Sequence, residues 1–221
     1  MKRKVFLIIT AILLCVCFAT LLVACNRQGG EKDNGNISRR TDAFFAGESE
    51  QFAVSVERGR REKTFIADGK ATDVNDFAQI TIVPLVKNEY ESINFVLAGA
   101  SSTLSGSVDC SDYGEFSAEI GLDFAPVSVT VTAGEETSEI ELVNVLDGAL
   151  TADDVINIAK DTFKDRMDKE SADGKTQREI YVKLITGDRE NYYYYVSFIG
   201  DGVDYWAVLI DPKTGDIVSK K

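Results

Sequence analysis

Between about Thr41 and Val145 the chain alternates apolar and polar residues with the period of a strand rather than that of a helix. Phe52, Val54 and Val56 alternate with Ala53, Ser55 and Glu57. Ile93, Phe95 and Leu97 form a second set, and Phe116, Ala118, Ile120 and Leu122 a third. Val127, Val129 and Val131 follow, and Ile140 and Leu142 close the series. Further strands are expected near Thr64–Ile66, Ala78–Leu85 and Thr103–Val108. A strand with one apolar and one polar face belongs to an antiparallel sheet with a single buried side. Turn residues separate the runs at Asp68-Gly69, Lys87-Asn88-Glu89, Asp112-Tyr113-Gly114 and Ala133-Gly134-Glu135. About seven or eight strands at this spacing predict a β-sandwich. Only Cys110 lies in this stretch and Trp206 lies beyond it, so the immunoglobulin disulfide and core tryptophan are both missing.

At Leu150 the period changes. Thr151 is placed to cap a helix, with Asp154 as the short-chain partner of a capping box and Leu150 and Val155 at the staple positions. Val155, Ile156, Ile158, Ala159, Phe163 and Met167 supply a broad apolar stripe, predicting one helix that ends near Lys169. Strands follow around Ile180–Leu184, Tyr192–Ile199 and Val203–Ile210, with a short last one at Ile217-Val218. One helix packed on an antiparallel sheet is the expected α+β unit. The fold expected is thus mainly β plus α+β: an N-terminal antiparallel β-sandwich, then a one-helix module.

The helix with Val155, Ile158 and Ala159, the Tyr194-x-Val196-x-Phe198 strand, and Tyr205–Ile210 running into Asp211-Pro212-x-Thr214-Gly215-x-Ile217 resemble the PepSY domain family. That family occurs in propeptides of secreted peptidases and in bacterial envelope proteins, where it is proposed to bind or inhibit peptidases. The resemblance implies a protein- or peptide-binding partner, with regulation of an envelope peptidase as the alternative. No peptidase follows the module in this chain, a departure from the propeptide setting.

The N-terminus addresses location. Lys2-Arg3-Lys4 precedes an uncharged run from Val5 to Ala24, the layout of an export signal. Leu22-Val23-Ala24-Cys25 resembles the lipobox of bacterial lipoproteins. The resemblance implies a diacylglyceryl group on the Cys25 thiol and cleavage just before it. An uncleaved membrane helix is the competing reading, since roughly 18 or more apolar residues span a bilayer. Either reading puts the rest of the chain outside, anchored to the cell membrane, by the positive-inside bias. Two acyl chains anchor almost permanently where one binds marginally, because each buried methylene contributes about 0.8 kcal/mol. The expected organisation is a signal peptide over 1–24, a flexible tether over 25–40, a sandwich over 41–147 and a PepSY-like module over 148–221. Arg39 and Arg40 are read as a solvated domain edge.

Charge and composition exclude several classes. The net charge is −12, and loss of Lys2, Arg3 and Lys4 with the signal leaves about −15. That argues against nucleic acid and adsorption to anionic lipid, which need positive charge. The chain has no histidine, which removes Ser-His-Asp and Cys-His catalysis and the commonest zinc ligand. Cys110 is read as a small buried residue, and no internal disulfide is available to it. No enzyme activity and no cofactor are expected. Asp109, Asp112 and Glu115 share one loop and offer oxygen ligands for calcium, although their spacing fits no EF-hand and acidic turns are common in so acidic a chain.

Tyr181, Tyr193 and Tyr195 are the candidate binding face. Alternation puts Tyr193 and Tyr195 on the sheet face away from the helix, and Tyr181 can join them from the neighbouring strand. Exposed, they would suit peptide or glycan contact; the alternative is that this face packs on the sandwich.

Overall fold

Alternation resolves into two sheets in the computed structural model, which describes residues 35–86, 90–111, 115–170, 178–201 and 204–221. The larger sheet contains β1 (Ile37–Glu48), β2 (Phe52–Glu62), β3 (Val74–Pro84) and β6 (Phe116–Glu119). The smaller has β4 (Ser92–Ala98), β5 (Thr103–Asp109), β7 (Ser128–Ala133) and β8 (Glu136–Glu141), in the order β5-β4-β7-β8. Val54, Val56, Ile80 and Ile82 from the first sheet meet Phe95, Leu97, Val129 and Val131 from the second in one buried cluster. Burying each such side chain stabilises by about 1.5–3 kcal/mol.

The period-3.6 segment forms α1 (Ala152–Thr162) and α2 (Lys164–Glu170) instead of one continuous helix. The expected capping box is present: the Asp154 amide donates to the Thr151 hydroxyl, and Asp154 accepts from the Thr151 amide. Phe163 interrupts the helix with φ −105° and ψ 14°, and its ring stands edge-on to Phe198 with centroids 5.9 Å apart. Tertiary packing of this ring, invisible to periodicity, accounts for the break. Beneath the helices lie β10 (Glu179–Thr186), β11 (Tyr192–Ile199), β12 (Tyr205–Ile210) and β13 (Ile217–Lys220). Val155, Ile156 and Ala159 pack there on Val182, Val196 and Val208 in a second buried cluster.

The two cores share a sheet. β1 pairs antiparallel with β2 along one edge and parallel with β10 along the other, so the order runs β13-β12-β11-β10-β1-β2-β3-β6. The short β9 (Val143–Asn144) adds to β1 beyond β10. Arg40, on β1, reaches Asp153 of α1 at 3.6 Å, while Phe45 on the same strand faces the sandwich core.

Several expectations are corrected. β1 begins at Ile37, inside the stretch read as tether, because Ile37 and Arg39 find partners in β10 that lie far away in sequence. Thr64–Ile66 is loop, since β2 ends at Glu62 and the loop folds back. The third apolar run stops as a strand at Glu119, and Leu122 dips into the sandwich core instead. Cys110 is exposed rather than buried, at a single bridge to Phe116 outside the strands. Cys25 and Asp112 lie outside the described residues, as do the turns at 87–89 and 112–114. Among the described residues no helix is long and apolar enough to cross a membrane.

Candidate binding face

Adjacent β10 and β11 place Tyr181 opposite Ser197, Lys183 opposite Tyr195 and Ile185 opposite Tyr193. Even-numbered residues face the helices, so the three tyrosines share the other side, as alternation predicts. Tyr181 and Tyr195 are diagonal neighbours, with centroids 6.5 Å apart and rings nearly perpendicular. All three are half-buried. They do not lie beneath the sandwich, because the module joins it edge to edge through β1 and β10. Their face instead continues outward across β1, β2 and β3.

Arg39 stands at the centre of that continuation. Its guanidinium donates to Glu57 Oε2 at 2.7 Å and lies 5.0 Å from the Phe77 ring centre and 5.7 Å from that of Tyr181. The Thr41 hydroxyl donates to the other Glu57 oxygen at 2.6 Å. With side-chain exposures of 12% and 9%, Arg39 and Glu57 are a mostly buried pair, so Arg39 is no solvated boundary. Arg61 repeats the arrangement one step outward. It donates to Gln79 at 2.8 Å and to Glu119 at 2.5 Å, 4.4 Å from the Phe77 centre. Gln79 passes the network to Ser117 at 2.6 Å. Burial raises the Tyr181 hydroxyl above its ordinary pKa of 10.0, and the nearby Arg39 charge opposes that rise.

Two hollows open on the face where β10 leaves β1. One of about 370 Å³ is lined by Arg39, Glu57, Gln79 and Lys183. The other, about 490 Å³, is lined by Phe44, Val83, Val143 and Tyr192, with Glu48 and Arg189 at its rim. They share Phe44, Ser55, Thr81 and Thr186, so together they form one trough with a charged end and an apolar end. A larger hollow of about 1080 Å³ elsewhere has an acidic lining of Asp42, Asp76, Glu119 and Asp123 with Arg58. Among the described residues no three acidic, cysteine or histidine side chains gather in a way that could hold a metal.

Alternation placed the tyrosines on this face but gave no sign that Arg39, Glu57, Arg61, Phe77 and Gln79 adjoin them. Their only signal was position: polar, charged or aromatic residues on the polar phase of β1, β2 and β3, which is also where any solvated residue falls.

The module itself is closely stapled. Tyr194, buried against the helices, donates from its hydroxyl to the Leu150 carbonyl at 3.2 Å, and burial pushes its pKa up to about 12. Arg178 donates to Glu170 at 2.7 Å and to Asp204 at 2.5 Å, and lies 4.0 Å over the Trp206 ring. These carboxylates hold its guanidinium in the charged form, with the Glu170 hydrogen bond the strongest influence.

No curated protein and no solved structure matches the chain significantly. Residues 149–221, which span the helices and the β10–β13 meander, match the PepSY family, described as the peptidase propeptide and YPEB domain.

Proposed function

We propose that this is a lipid-anchored protein of the cell envelope, facing outward, with a non-catalytic role in binding protein or peptide. The single observation that carries the binding role is the open sheet face, on which Tyr181 and Tyr195 run into Arg39, Phe77 and the trough. Aromatic rings beside a hydrogen-bonded polar network offer both apolar area and directional contacts. PepSY domains are typically non-catalytic, and no catalytic family matches the chain, which supports the same reading. Attachment through diacylated Cys25 rests on its lipobox-like setting. It predicts that Cys25→Ser abolishes fatty-acid labelling and leaves an uncleaved precursor; labelling that persists places the lipid elsewhere.

The second reading is a regulator of an envelope peptidase, and the family's description as a peptidase propeptide favours it. One experiment addresses both. The full-length protein and its Tyr193→Ser/Tyr195→Ser variant are cross-linked in native envelope, and recovered partners are assayed for proteolysis. Tyr181 is left intact because it is packed between Phe65 and Tyr195. Partner recovery is expected to fall in the variant with little change in Tm. A large fall in Tm makes the tyrosines structural, and recovery of a protease that the protein inhibits selects the regulator.

A further inference from the structure

The most anomalous chemistry in the molecule lies at the top of the seam between β1 and β10. Glu179, the first residue of β10, is fully buried, and neither carboxylate oxygen has a hydrogen-bond partner among the described residues. Glu62, the last residue of β2, is 4% exposed. One of its oxygens takes the Thr72 amide and, at 3.4 Å, the Thr72 hydroxyl; the other has no partner. Three of the four oxygens in two buried carboxyl groups are therefore unsatisfied. Buried polar groups are nearly always paired, and an isolated buried carboxylate is costly enough to take up a proton instead.

Among the described residues no positively charged side chain is among the influences on Glu179. β2 contributes Glu62 and the 63–73 loop contributes Asp68, both of which repel it. Ser38 of β1 and the Gly69 amide of the loop lie close enough to favour the charged form, yet neither completes a hydrogen bond with it. Ser38 donates instead toward the Ile180 carbonyl at 3.5 Å. Arg178 precedes Glu179 in the chain, but its guanidinium is turned to Glu170 and Asp204. Across the ladder on β11 stands Ile199. Burial is the largest influence and raises the Glu179 pKa above its ordinary 4.5, with the charges of Glu62 and Asp68 adding to it. A hard cation would need several more oxygen ligands than two carboxyl groups supply, and no third metal-binding side chain gathers here among the described residues.

Both carboxyl groups also border the 63–73 loop. The 63–73 loop is held down at three points: Asn36 donates to the Gly69 carbonyl at 2.8 Å, Asn36 accepts the Ala71 amide at 2.7 Å, and Glu62 accepts Thr72. Gly69, at φ +81°, lies 3.7 Å from the Ile199 carbonyl when judged from its missing Cβ, so the loop caps the seam directly. From the same loop, Phe65 stands edge-on to Tyr181 at 5.3 Å, over one end of the candidate binding face.

We propose that Glu179 carries a proton in its buried place near Glu62, and that this neutral carboxyl is the latch holding the 63–73 loop and Phe65 over the tyrosine face. The proton neutralises Glu179, whose two oxygens have no hydrogen-bond partner among the described residues. A group whose folded pKa is raised contributes its full stability below the unfolded value, and that contribution is lost as pH rises through the folded pKa. The latch is therefore closed in acid and released as the medium becomes more alkaline. This makes access to the face depend on pH whether or not the face binds a peptide.

Hydrogen exchange of the loop amides in the full-length protein tests it, with wild type and Glu179→Gln compared at each pH so that intrinsic exchange rates cancel. The wild-type opening equilibrium, relative to the variant, is expected to grow by up to about tenfold per pH unit above the ordinary glutamate value until a plateau. Glu62→Gln keeps an acceptor for Thr72 but removes a repelling charge, so its plateau is expected at lower pH. Equal pH dependence in wild type and Glu179→Gln overturns the proposal, as would a plateau that Glu62→Gln does not move. Suppression of the alkaline opening by millimolar calcium, in wild type only, also overturns it by making a cation the occupant. None of these readouts involves a partner, so failure here leaves the binding role untouched.

Discussion

Asp188 illustrates how a single exposed side chain organises the turn between β10 and β11. Its Oδ1 accepts the amides of Glu190 at 3.0 Å and Asn191 at 2.8 Å, and its Oδ2 accepts the Asn191 side chain at 2.7 Å. Arg189 between them sits at φ +66°, a left-handed conformation that a non-glycine residue adopts only when its neighbours hold it there. These donors, the Asn191 amide first, depress the Asp188 pKa from 3.8 to about 2. A depressed carboxylate stabilises the fold fully above its unfolded value and loses that contribution as pH falls through the folded one. The expected NMR titration midpoint for Asp188 is about 2, with exchange of the turn amides rising only below the ordinary range. A midpoint near 3.8 would show that the turn hydrogen bonds do not persist in solution.

Among the elements, the turn after β12 shows what a short motif does in three dimensions. Asp211 accepts the Lys213 amide at 2.8 Å and the Thr214 amide at 2.9 Å, an Asx-type turn that Pro212 favours. Those backbone donors hold the Asp211 carboxyl below its ordinary pKa. The Pro212 carbonyl then accepts the Leu150 amide at 2.7 Å, tying the turn to the start of α1. Gly215 holds a left-handed conformation that favours glycine. Its φ is +79°, and an added Cβ would lie 3.1 Å from Ile158 and 3.2 Å from Leu150. Gly215→Ala is expected to destabilise the protein by about 1–3 kcal/mol, from the combined strain and overpacking. Denaturant unfolding followed by Trp206 fluorescence would read this, and an unchanged midpoint would remove the argument. Its role as a rest for the helix emerges only when α1 is in place.

For the molecule as a whole, the decisive feature is that β1 belongs to both cores. Phe45 faces the sandwich core, while Ile37 packs at the edge of the helix core. Gly59 lets β1 and β2 approach at the bulge, since a Cβ there would fall 1.9 Å from the Arg40 carbonyl oxygen. A strand so shared couples the two clusters, and unfolding is expected to be one cooperative transition. Ile80, fully buried in the sandwich, and Trp206, the chain's sole tryptophan in the other core, make this measurable. Ile80→Ala is expected to lower stability by about 2–5 kcal/mol and to shift the Trp206-detected midpoint equally. Two separate transitions, with Trp206 indifferent to the substitution, would mean that the seam transmits little.

What the sequence by itself determined was local. Alternation, turn residues and the Thr151–Asp154 capping box specified strands, helix start and the face on which Tyr181, Tyr193 and Tyr195 lie, because these depend on neighbours within a few residues. Resemblance to PepSY was legible because each of its three pieces, the helix stripe, the Tyr194-x-Val196-x-Phe198 strand and the Asp211–Ile217 turn, is a local pattern. Tertiary structure alone decided the rest. The parallel pairing of Ile37 with Ile180 joins residues 143 positions apart, and no local pattern encodes which strand edges will meet. That pairing turned Arg39 from a boundary charge into the mostly buried partner of Glu57, and Glu62 and Glu179 are buried too. Charged residues look alike in a sequence; burial, which only the assembled sheet imposes, is what gives them chemistry.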